Sequence, residues 1–245
     1  MRQKAYIHIQ RQISTGGMKP GDTISELELA RVLGSSRTPV REAIGQLVAE
    51  GLLAEGPNGS TLVVQLQRED IIDLYEIREA LEVYSIGKVA NFGMSPENRD
   101  RLQQLVDHIL VLKKELEDTG ASFLNSSQMD RFISCDMGFH AMLMSMAQNS
   151  RILKVINETR LLIRIFAIHR QGLDISALTR INKQHQDLLN AVVARDRDTA
   201  MKLLSEHISW SQQERIEDYD RWKREASIRD VMPAFFDMHD SLILR

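Results

Sequence analysis

The sequence predicts a mainly α-helical protein with one small β-hairpin. Only 5 of the 245 residues are proline and 13 are glycine, and leucine, alanine, glutamate and arginine, which favour helices, are abundant. Apolar residues recur at helical spacing along most of the chain. The exception is a pair of short β-prone runs on either side of Asn58 and Gly59, a dipeptide typical of hairpin turns.

The composition narrows the class of protein without indicating a function. The 31 Lys and Arg against 34 Asp and Glu give a net charge of -3, so total charge indicates neither nucleic-acid binding nor an acidic disordered chain. The single cysteine, Cys135, excludes a disulfide framework and a multi-cysteine metal site. No apolar run reaches the roughly 18 residues of a membrane span, and no signal-peptide core follows Met1. We therefore expect a cytoplasmic protein with no membrane partner.

Three short helices are predicted before the hairpin. The first covers residues 5–15 and carries an apolar stripe that ends at a glycine pair. The second is capped by Ser25, has Val32 on its apolar stripe and is closed by Gly34. The third has Thr38 as its cap and Pro39 at its first helical position. Three helices followed by a hairpin indicate a winged helix-turn-helix, which we assign to residues 1–66.

The rest of the chain is helical by pattern. Between residues 70 and 225 the apolar periodicity is interrupted at 91–97, 118–125, 149–150 and 171–175. We therefore predict an all-α bundle of six or seven helices for residues 70–225. Residues 226–245 form a C-terminal extension to which the sequence assigns no role.

The start of the third helix carries side chains suited to reading DNA. Ser36, Arg37, Thr38 and Arg41 place hydrogen-bond donors at the helix N-terminus, the end that enters a major groove. Arg37 and Arg41 are one turn apart, so one guanidinium can reach guanine O6 and N7 while the other reaches guanine or phosphate. Arg31, on the second helix, is a candidate phosphate contact.

The charge of this first part favours a dimer. Residues 1–64 carry 7 Lys and Arg against 6 Asp and Glu, so a lone copy would bind DNA weakly. Two copies on a palindromic operator double the contacts. We therefore expect a homodimer that binds double-stranded DNA with symmetric half-sites.

The segment from Leu29 to Leu52 closely resembles the helix-turn-helix signature of the GntR family of bacterial transcription regulators. The resemblance covers about 60 residues, from Ile13 and the glycines after it to the wing. It implies operator contacts at the positions of Arg37, Thr38 and Arg41, and a minor-groove approach by the wing around Asn58 and Gly59. The chain departs from the pattern in the second helix, where several members carry an arginine and Glu26–Leu29 has no basic residue.

The helical part resembles the FCD effector domain of the FadR subgroup of that family. The resemblance is carried by Tyr75–Glu82 and Asp136–His140, and by two later histidines, His185 and His207. Periodicity alone would make each histidine an ordinary core or surface residue. The four positions together imply a metal site of Asp136, His140, His185 and His207, with Zn²⁺ as the first choice and Ni²⁺ or Mn²⁺ as alternatives.

The resemblance also implies a small carboxylic or sugar acid as effector. Its carboxylate would complete the metal shell and contact an arginine, for which the candidates are Arg78 and Arg164. The competing interpretation of Arg78 is an ion pair with Glu82, one turn away. For Arg164 it is a structural salt bridge or an exit to solvent.

These patterns predict a ligand-responsive DNA-binding regulator, a repressor rather than an enzyme. Two alternatives stay open at the level of sequence. One is a metal-dependent hydrolase that uses the Asp and His cluster to activate a water molecule. The other is a regulator for which the metal ion itself is the signal.

Overall fold

The computed structural model describes residues 1–14, 17–165 and 172–231, without the side chains of 164–165 and 226–231. The first part of the chain contains three helices and a three-stranded antiparallel sheet in the order β1-β3-β2. Its elements are α1 (Arg2–Ser14), β1 (Thr23–Ile24), α2 (Glu26–Leu33), α3 (Arg37–Ala49), β2 (Leu53–Glu55) and β3 (Thr61–Val63). This is the predicted winged helix-turn-helix, hereafter the head, with β2 and β3 as its wing.

The caps of the head follow from local chemistry. Ser25 Oγ accepts a hydrogen bond from the Glu28 amide at 3.3 Å and starts α2, while Gly34 ends it at a φ of 60°. Both caps agree with the prediction. In the wing, Asn58 and Gly59 have φ values of 59° and 73°, left-handed conformations that asparagine and glycine adopt at low cost.

The head differs from the prediction in three details. Helix α3 begins at Arg37, with Ser36 as its extended cap, and the prediction of Thr38 as cap was wrong. Proline is tolerated throughout a first helical turn, where its missing N–H has no partner, so Pro39 does not mark the first position. Strand β1 was not predicted, because two residues carry no alternation signal. Val32 is 64% exposed, on the outer side of α2.

Six further helices follow in the described part of the chain. They are α4 (Arg68–Phe92), α5 (Pro96–Thr119), α6 (Ser126–Ser145), α7 (Ser150–Ile165), α8 (Ile175–Val193) and α9 (Arg197–Val231). The described part of each predicted interruption falls at a junction between two helices and overlaps the helix ends by one or two residues. The break between α8 and α9 was not predicted; there Arg195 takes a φ of 58°. Within the described ranges, no helix combines the length and apolar character that a membrane span requires.

The bundle buries two apolar clusters and an unusual set of polar residues. Helix α4 packs along α9 and contributes Ile86 and Val89 to the larger cluster, while α5 contributes Leu112 and Leu116 to the smaller one. Such apolar burial supplies most of the stability of a helical bundle. The polar residues of α4 that are buried with it are Arg78, Glu82 and Ser85.

Helix α7 packs against both the bundle and the head. Leu161 and Leu162 pack against the apolar core of the head, and Leu162 lies beside Gly51 at the end of the helix-turn-helix. The preceding residue, Arg160, is 7% exposed and points into the bundle. One turn of α7 therefore contacts both parts of the molecule.

Candidate metal centre and DNA-reading helix

The four predicted metal ligands lie together inside the bundle. Asp136 and His140 are one turn apart on α6, and His185 and His207 come from α8 and α9. One ligand atom from each lies within 4.8 Å of the others. The three imidazoles are buried and Asp136 is half-buried. The i, i+4 spacing on α6 places carboxylate and imidazole on one face, and the packing of three helices supplies the rest.

The shortest distances between ligand atoms of the cluster are close to those found around a bound ion. Asp136 Oδ1 lies 3.5 Å from His185 Nε2 and 3.9 Å from His140 Nε2. A tetrahedral ion with bonds of about 2.1 Å separates its ligand atoms by about 3.4 Å. The ring of Phe139 stacks on His185, with centroids 4.3 Å apart and planes 11° apart, and so restricts that imidazole.

One neighbouring side chain orients a histidine of the cluster by a hydrogen bond, and a second lies close behind another histidine. His207 Nδ1 donates to Gln184 Oε1 at 2.9 Å, which leaves Nε2 without a proton and free to ligate. Glu82 Oε2 lies 3.6 Å from His140 Nδ1. A carboxylate or amide oxygen behind a histidine is the usual second layer of a metal site.

Histidine nitrogens without hydrogen-bond partners are a further reason why the cluster fits a cation. Both ring nitrogens of His140 and of His185 are buried and have no hydrogen-bond partner. A buried polar atom without a partner costs free energy comparable to a lost hydrogen bond, and such atoms are rare in native proteins. A divalent ion would ligate one nitrogen of each ring, so the residues present fit a metal.

Electrostatics keep the cluster in the protonation state that metal binding needs. Burial, with the neighbouring charges, lowers the pKa of His140 and His207, and it lowers the pKa of His185 to about 3. Burial opposes the charged form of Asp136, but the imidazoles and Arg160 hold the pKa of its carboxyl below the ordinary value. At neutral pH the cluster is one carboxylate and three neutral imidazoles, the forms that bind metals.

A buried cluster of charged residues lies beside the candidate metal ligands. Glu82 accepts from Arg78 Nε at 2.9 Å and from Arg160 Nε and Nη2 at 2.8 and 3.0 Å. Arg160 Nη1 also lies 3.8 Å from Asp136 Oδ2. Burial raises the pKa of Glu82, but the two guanidinium groups outweigh it and hold the value well below the ordinary one. The arrangement places two guanidinium groups on one carboxylate.

A cavity of about 510 Å³ opens next to these two clusters. Its volume lies within the range of small-molecule sites. The residues of its wall that belong to the clusters are Asp136, His207, Arg78 and Arg160. Two arginines and two candidate metal ligands thus line one cavity, which suits an anion.

The two predicted effector arginines have different outcomes. Arg78 lines the cavity and also makes the ion pair with Glu82 that was the competing interpretation. The side chain of Arg164 lies outside the described residues. Arg160 was missed, although it lies one turn before Arg164 on α7 and faces the cavity. The two arginines are one turn apart on the same helix, so the apolar periodicity of α7 could not show which of them faces the cavity.

The predicted DNA-reading residues lie on one exposed surface of the head. Ser36, Arg37, Thr38 and Arg41 are all exposed at the start of α3, and Arg31 is exposed on α2. The exposed tip of the wing carries the remaining two, Asn58 and Gly59. The recognition-helix residues and the wing are thus open to solvent.

Glu26, at the first position of α2, pairs with both arginines at the start of α3. Arg41 Nε and Nη2 donate to its two oxygens at 2.9 Å each, and Arg37 Nη2 donates to Oε2 at 3.1 Å. These bonds lower the pKa of the Glu26 carboxyl, with the bond from Arg41 as the largest cause. Sequence reasoning noted Glu26 only as part of a stretch without a base, since the 15 residues to Arg41 conceal the contact.

Two family models match the chain. The one described as bacterial regulatory proteins, gntR family, matches residues 1–63, and that of the FCD domain matches residues 73–209. Together they account for the head and for most of the bundle, and both agree with the resemblances seen in the sequence.

Individual relatives agree with these matches. The uncharacterized HTH-type transcriptional regulator YdhC of Bacillus subtilis (strain 168) is 26% identical over 204 residues, which are 83% of this chain and 86% of YdhC. The Nta operon transcriptional regulator of Aminobacter aminovorans is 28% identical over 192 residues, 78% and 82% of the two chains. A more distant relative is named as a transcriptional repressor.

Solved structures show the same fold. The structure of Escherichia coli McbR/YncC superposes with a TM-score of 0.71, covering 89% of this chain and 98% of McbR/YncC at 21% identity. At this level of identity the similarity concerns the fold alone, a winged helix-turn-helix joined to a helical bundle.

Proposed function

Because the chain belongs to the GntR family of bacterial regulatory proteins and carries its FCD domain, we propose that it is a metal-dependent, acid-responsive repressor. A dimer binds a palindromic operator, and a small carboxylic or sugar acid in the cavity of the bundle changes its affinity for DNA. The observation that carries the proposal is the joining, in one chain, of an exposed arginine pair on α3 with the Asp and His cluster beside a cavity.

Operator reading rests on the start of α3. Arg37 and Arg41 face solvent with 58% and 65% of their side chains exposed, and both lie one turn apart at the helix end that meets DNA. Their guanidinium groups suit guanine, while Ser36 and Thr38 suit phosphate. Arg31 and the wing residues Asn58 and Gly59 add contacts at the edges of the interface.

Dimerisation and repression are the less direct parts of the proposal. A head with nearly balanced charge gains little from phosphate attraction alone, so a symmetric pair of heads on two half-sites supports specific binding. A dimer that occupies an operator blocks access to the promoter. The cytoplasm is the compartment in which such a protein would meet chromosomal DNA.

The metal would be held by Asp136, His140, His185 and His207. The set of one oxygen and three nitrogen ligands supports Zn²⁺ first, and Ni²⁺ or Mn²⁺ next. A bound ion would supply positive charge, and an ion that accepts more than four ligands would also take a carboxylate oxygen. Arg78 and Arg160 supply further positive charge on the wall of the same cavity, so an acid is favoured over a neutral ligand.

The other two hypotheses are weaker. The family and the relatives of this chain are transcriptional regulators rather than enzymes, which removes the hydrolase. A regulator that senses only the metal needs no space beside it, whereas the cavity here has room for a small molecule.

An electrophoretic shift assay on the promoter region of the gene itself tests the DNA part. We expect a sequence-specific complex that Arg37→Ala and Arg41→Ala each weaken. Wild-type protein that shows no preference over unrelated DNA of equal length would refute it. Size-exclusion chromatography with light scattering tests the dimer, and elemental analysis before and after chelation tests the metal.

A further inference from the structure

One face of α9 leads away from the metal cluster along the cavity. His207, Ser211 and Arg215 are spaced four residues apart, so their side chains lie above one another on a single helix face. All three line the cavity. Eight residues of α-helix rise about 12 Å, which puts the backbone of Arg215 well beyond the metal ligands.

The side chain of Arg215 is half-buried, and two of its three guanidinium nitrogens are buried without a hydrogen-bond acceptor. Its side chain is 14% exposed, and its Nε and Nη1 have no hydrogen-bond acceptor. Asp218 Oδ2 is 3.7 Å from Nη1, close enough for electrostatic attraction but too far for a hydrogen bond. A buried N–H group without an acceptor is costly, and the cost is highest on a charged group.

The two arginines nearer the candidate metal ligands are bonded to a carboxylate. Arg78 and Arg160 both donate to Glu82 at hydrogen-bond distance. Glu82 therefore neutralises part of their positive charge. Of these three arginines on the cavity wall, Arg215 is the one that does not pair with Glu82, and its Nε and Nη1 lack an acceptor.

Two hydroxyl groups complete the surroundings of Arg215. The Tyr75 hydroxyl and Ser211 Oγ are 2.9 Å apart and share a hydrogen bond. Burial raises the pKa of Tyr75, but the nearby charges of Arg215 and Arg78 and a hydrogen bond to Arg215 outweigh it and lower the value. Glu214 also lines the cavity, so the wall is mixed in charge and the positive site is local.

We propose that Arg215, with Tyr75 and Ser211, forms a second anion site, and that the ligand of the cavity is a short-chain dicarboxylate. One carboxylate faces the candidate metal ligands and the other pairs with the guanidinium group of Arg215 on the cavity wall. This inference rests on the proposed function for the carboxylate at the metal end. It adds the chemical class of the ligand, two acidic groups on one short chain, and a residue that selects it.

Calorimetric titration of the full-length, zinc-loaded protein with matched acids tests the proposal. The probes are malonate, succinate, glutarate and adipate, each compared with the monocarboxylate of the same carbon number. We expect at least one diacid to bind about 10-fold or more tightly than its monoacid, the range of a charge-assisted hydrogen bond. The variant Arg215→Met should remove that advantage, because the affinity for the diacid should fall more than the affinity for the monoacid.

Arg197→Met is the matched control, since Arg197 lies on the same helix, is half-exposed and pairs with Asp198. It should keep the preference for the diacid. If monoacids bind the wild-type protein as tightly as every diacid, or if Arg215→Met keeps the preference, the second anion site is refuted while the proposed function stands. If neither class of acid binds, the carboxylate part of the proposed function fails first. The comparison on wild-type protein holds even if the Arg215 variant does not fold.

Discussion

Arg41 and Glu26 form a two-point ion pair across the helix-turn-helix, with both nitrogen-to-oxygen distances at 2.9 Å. The pair joins the first residue of α2 to the reading end of α3. A two-point bond fixes the plane of a guanidinium group as well as its position. Arg37 shares the same carboxylate, so Glu26 holds the two arginines proposed to read DNA at a set spacing while both stay exposed.

Glu26→Gln should therefore loosen operator recognition without weakening DNA binding in general. Loss of the carboxylate removes a negative charge next to phosphate and frees both arginines. We expect binding to unrelated DNA to strengthen and the ratio of operator to unrelated affinity to fall by about 10-fold. Fluorescence anisotropy on the two DNAs over a salt series measures both. Glu28→Gln, exposed on the same helix, is the control, and an equal change in that variant would remove the special role of Glu26.

Arg41→Ala and Arg31→Ala should affect DNA binding in different ways. Arg41 faces base edges in the proposal, so its loss should cost about 1–3 kcal/mol of discrimination at particular base pairs. Arg31 is proposed to meet phosphate, so its loss should weaken all sequences alike and reduce the salt slope by about 1. Binding to a panel of operator variants at several salt concentrations distinguishes them. A base-specific loss in the Arg31 variant would reverse the assignment.

Gln184 should matter for metal affinity although it does not reach the ion. Its side-chain oxygen holds the proton on His207 Nδ1 and so keeps Nε2 free. Gln184→Ala should weaken zinc binding by about 10- to 100-fold, as measured by competition with a chelating dye. Gln186→Ala is the control, because Gln186 lies on the same helix and bonds to Gln103. Equal zinc affinity in the wild-type and Gln184 proteins would contradict the proposed orientation of His207.

Replacing the carboxylate of Glu82 should lower the stability of the bundle strongly. Glu82→Gln leaves the buried guanidinium groups of Arg78 and Arg160 without their shared counter-ion, and breaking one side of a buried ion pair typically costs about 3–5 kcal/mol. Urea unfolding of chelated protein gives the free energy. Glu76→Gln, exposed on the same helix, should change it by less than about 0.5 kcal/mol. A loss under about 1 kcal/mol for the Glu82 variant would mean that water already screens the cluster.

Stability of the metal-free protein should fall as the pH is lowered from neutral. The unfolded histidines bind protons near pH 6.5, whereas the buried ones have a lowered pKa, about 3 for His185. The unfolded state then binds more protons, so the free energy of unfolding decreases by up to about 1.4 kcal/mol per pH unit for each histidine between those values. Urea unfolding at pH 7.5, 6.5, 5.5 and 4.5 measures the slope.

A replacement separates the contribution of one histidine. His185→Leu keeps an apolar group against Phe139 and removes the proton site, so it should reduce the slope below pH 5.5 by about 1.4 kcal/mol per pH unit. A slope equal to that of the unaltered protein would show that His185 titrates in the folded state as it does unfolded.

The fold was largely predictable because its determinants are local. Helical periodicity identified the helices, and Asn58-Gly59 identified the wing. Thr38 was mistaken for a cap because proline is equally acceptable at several positions of a first turn. The break at Arg195 escaped because neither glycine nor proline marks it.

The site was predictable where residues share a helix and hidden where helices meet. Asp136 and His140 have the four-residue spacing of a common face, and the resemblance to the FCD domain supplied His185 and His207. By contrast, Glu82 and Arg160 are 78 residues apart, and their pairing depends on how α4 and α7 pack. The same holds for Tyr75 and Ser211, which are 136 residues apart. No local pattern encodes such contacts.

The most direct measurement is the affinity of the zinc-loaded protein for its operator during a titration with an acid that binds the cavity. The metal cluster and the reading helix lie in one chain joined through α7, so we expect the acid to change the operator Kd by about 5-fold or more, the usual size of coupling between two sites. Chelation or Asp136→Ala should abolish that change. The proposal of a metal-dependent, acid-responsive regulator would be contradicted if no acid bound by the protein changed the operator Kd. It would also be contradicted if the change were the same after chelation.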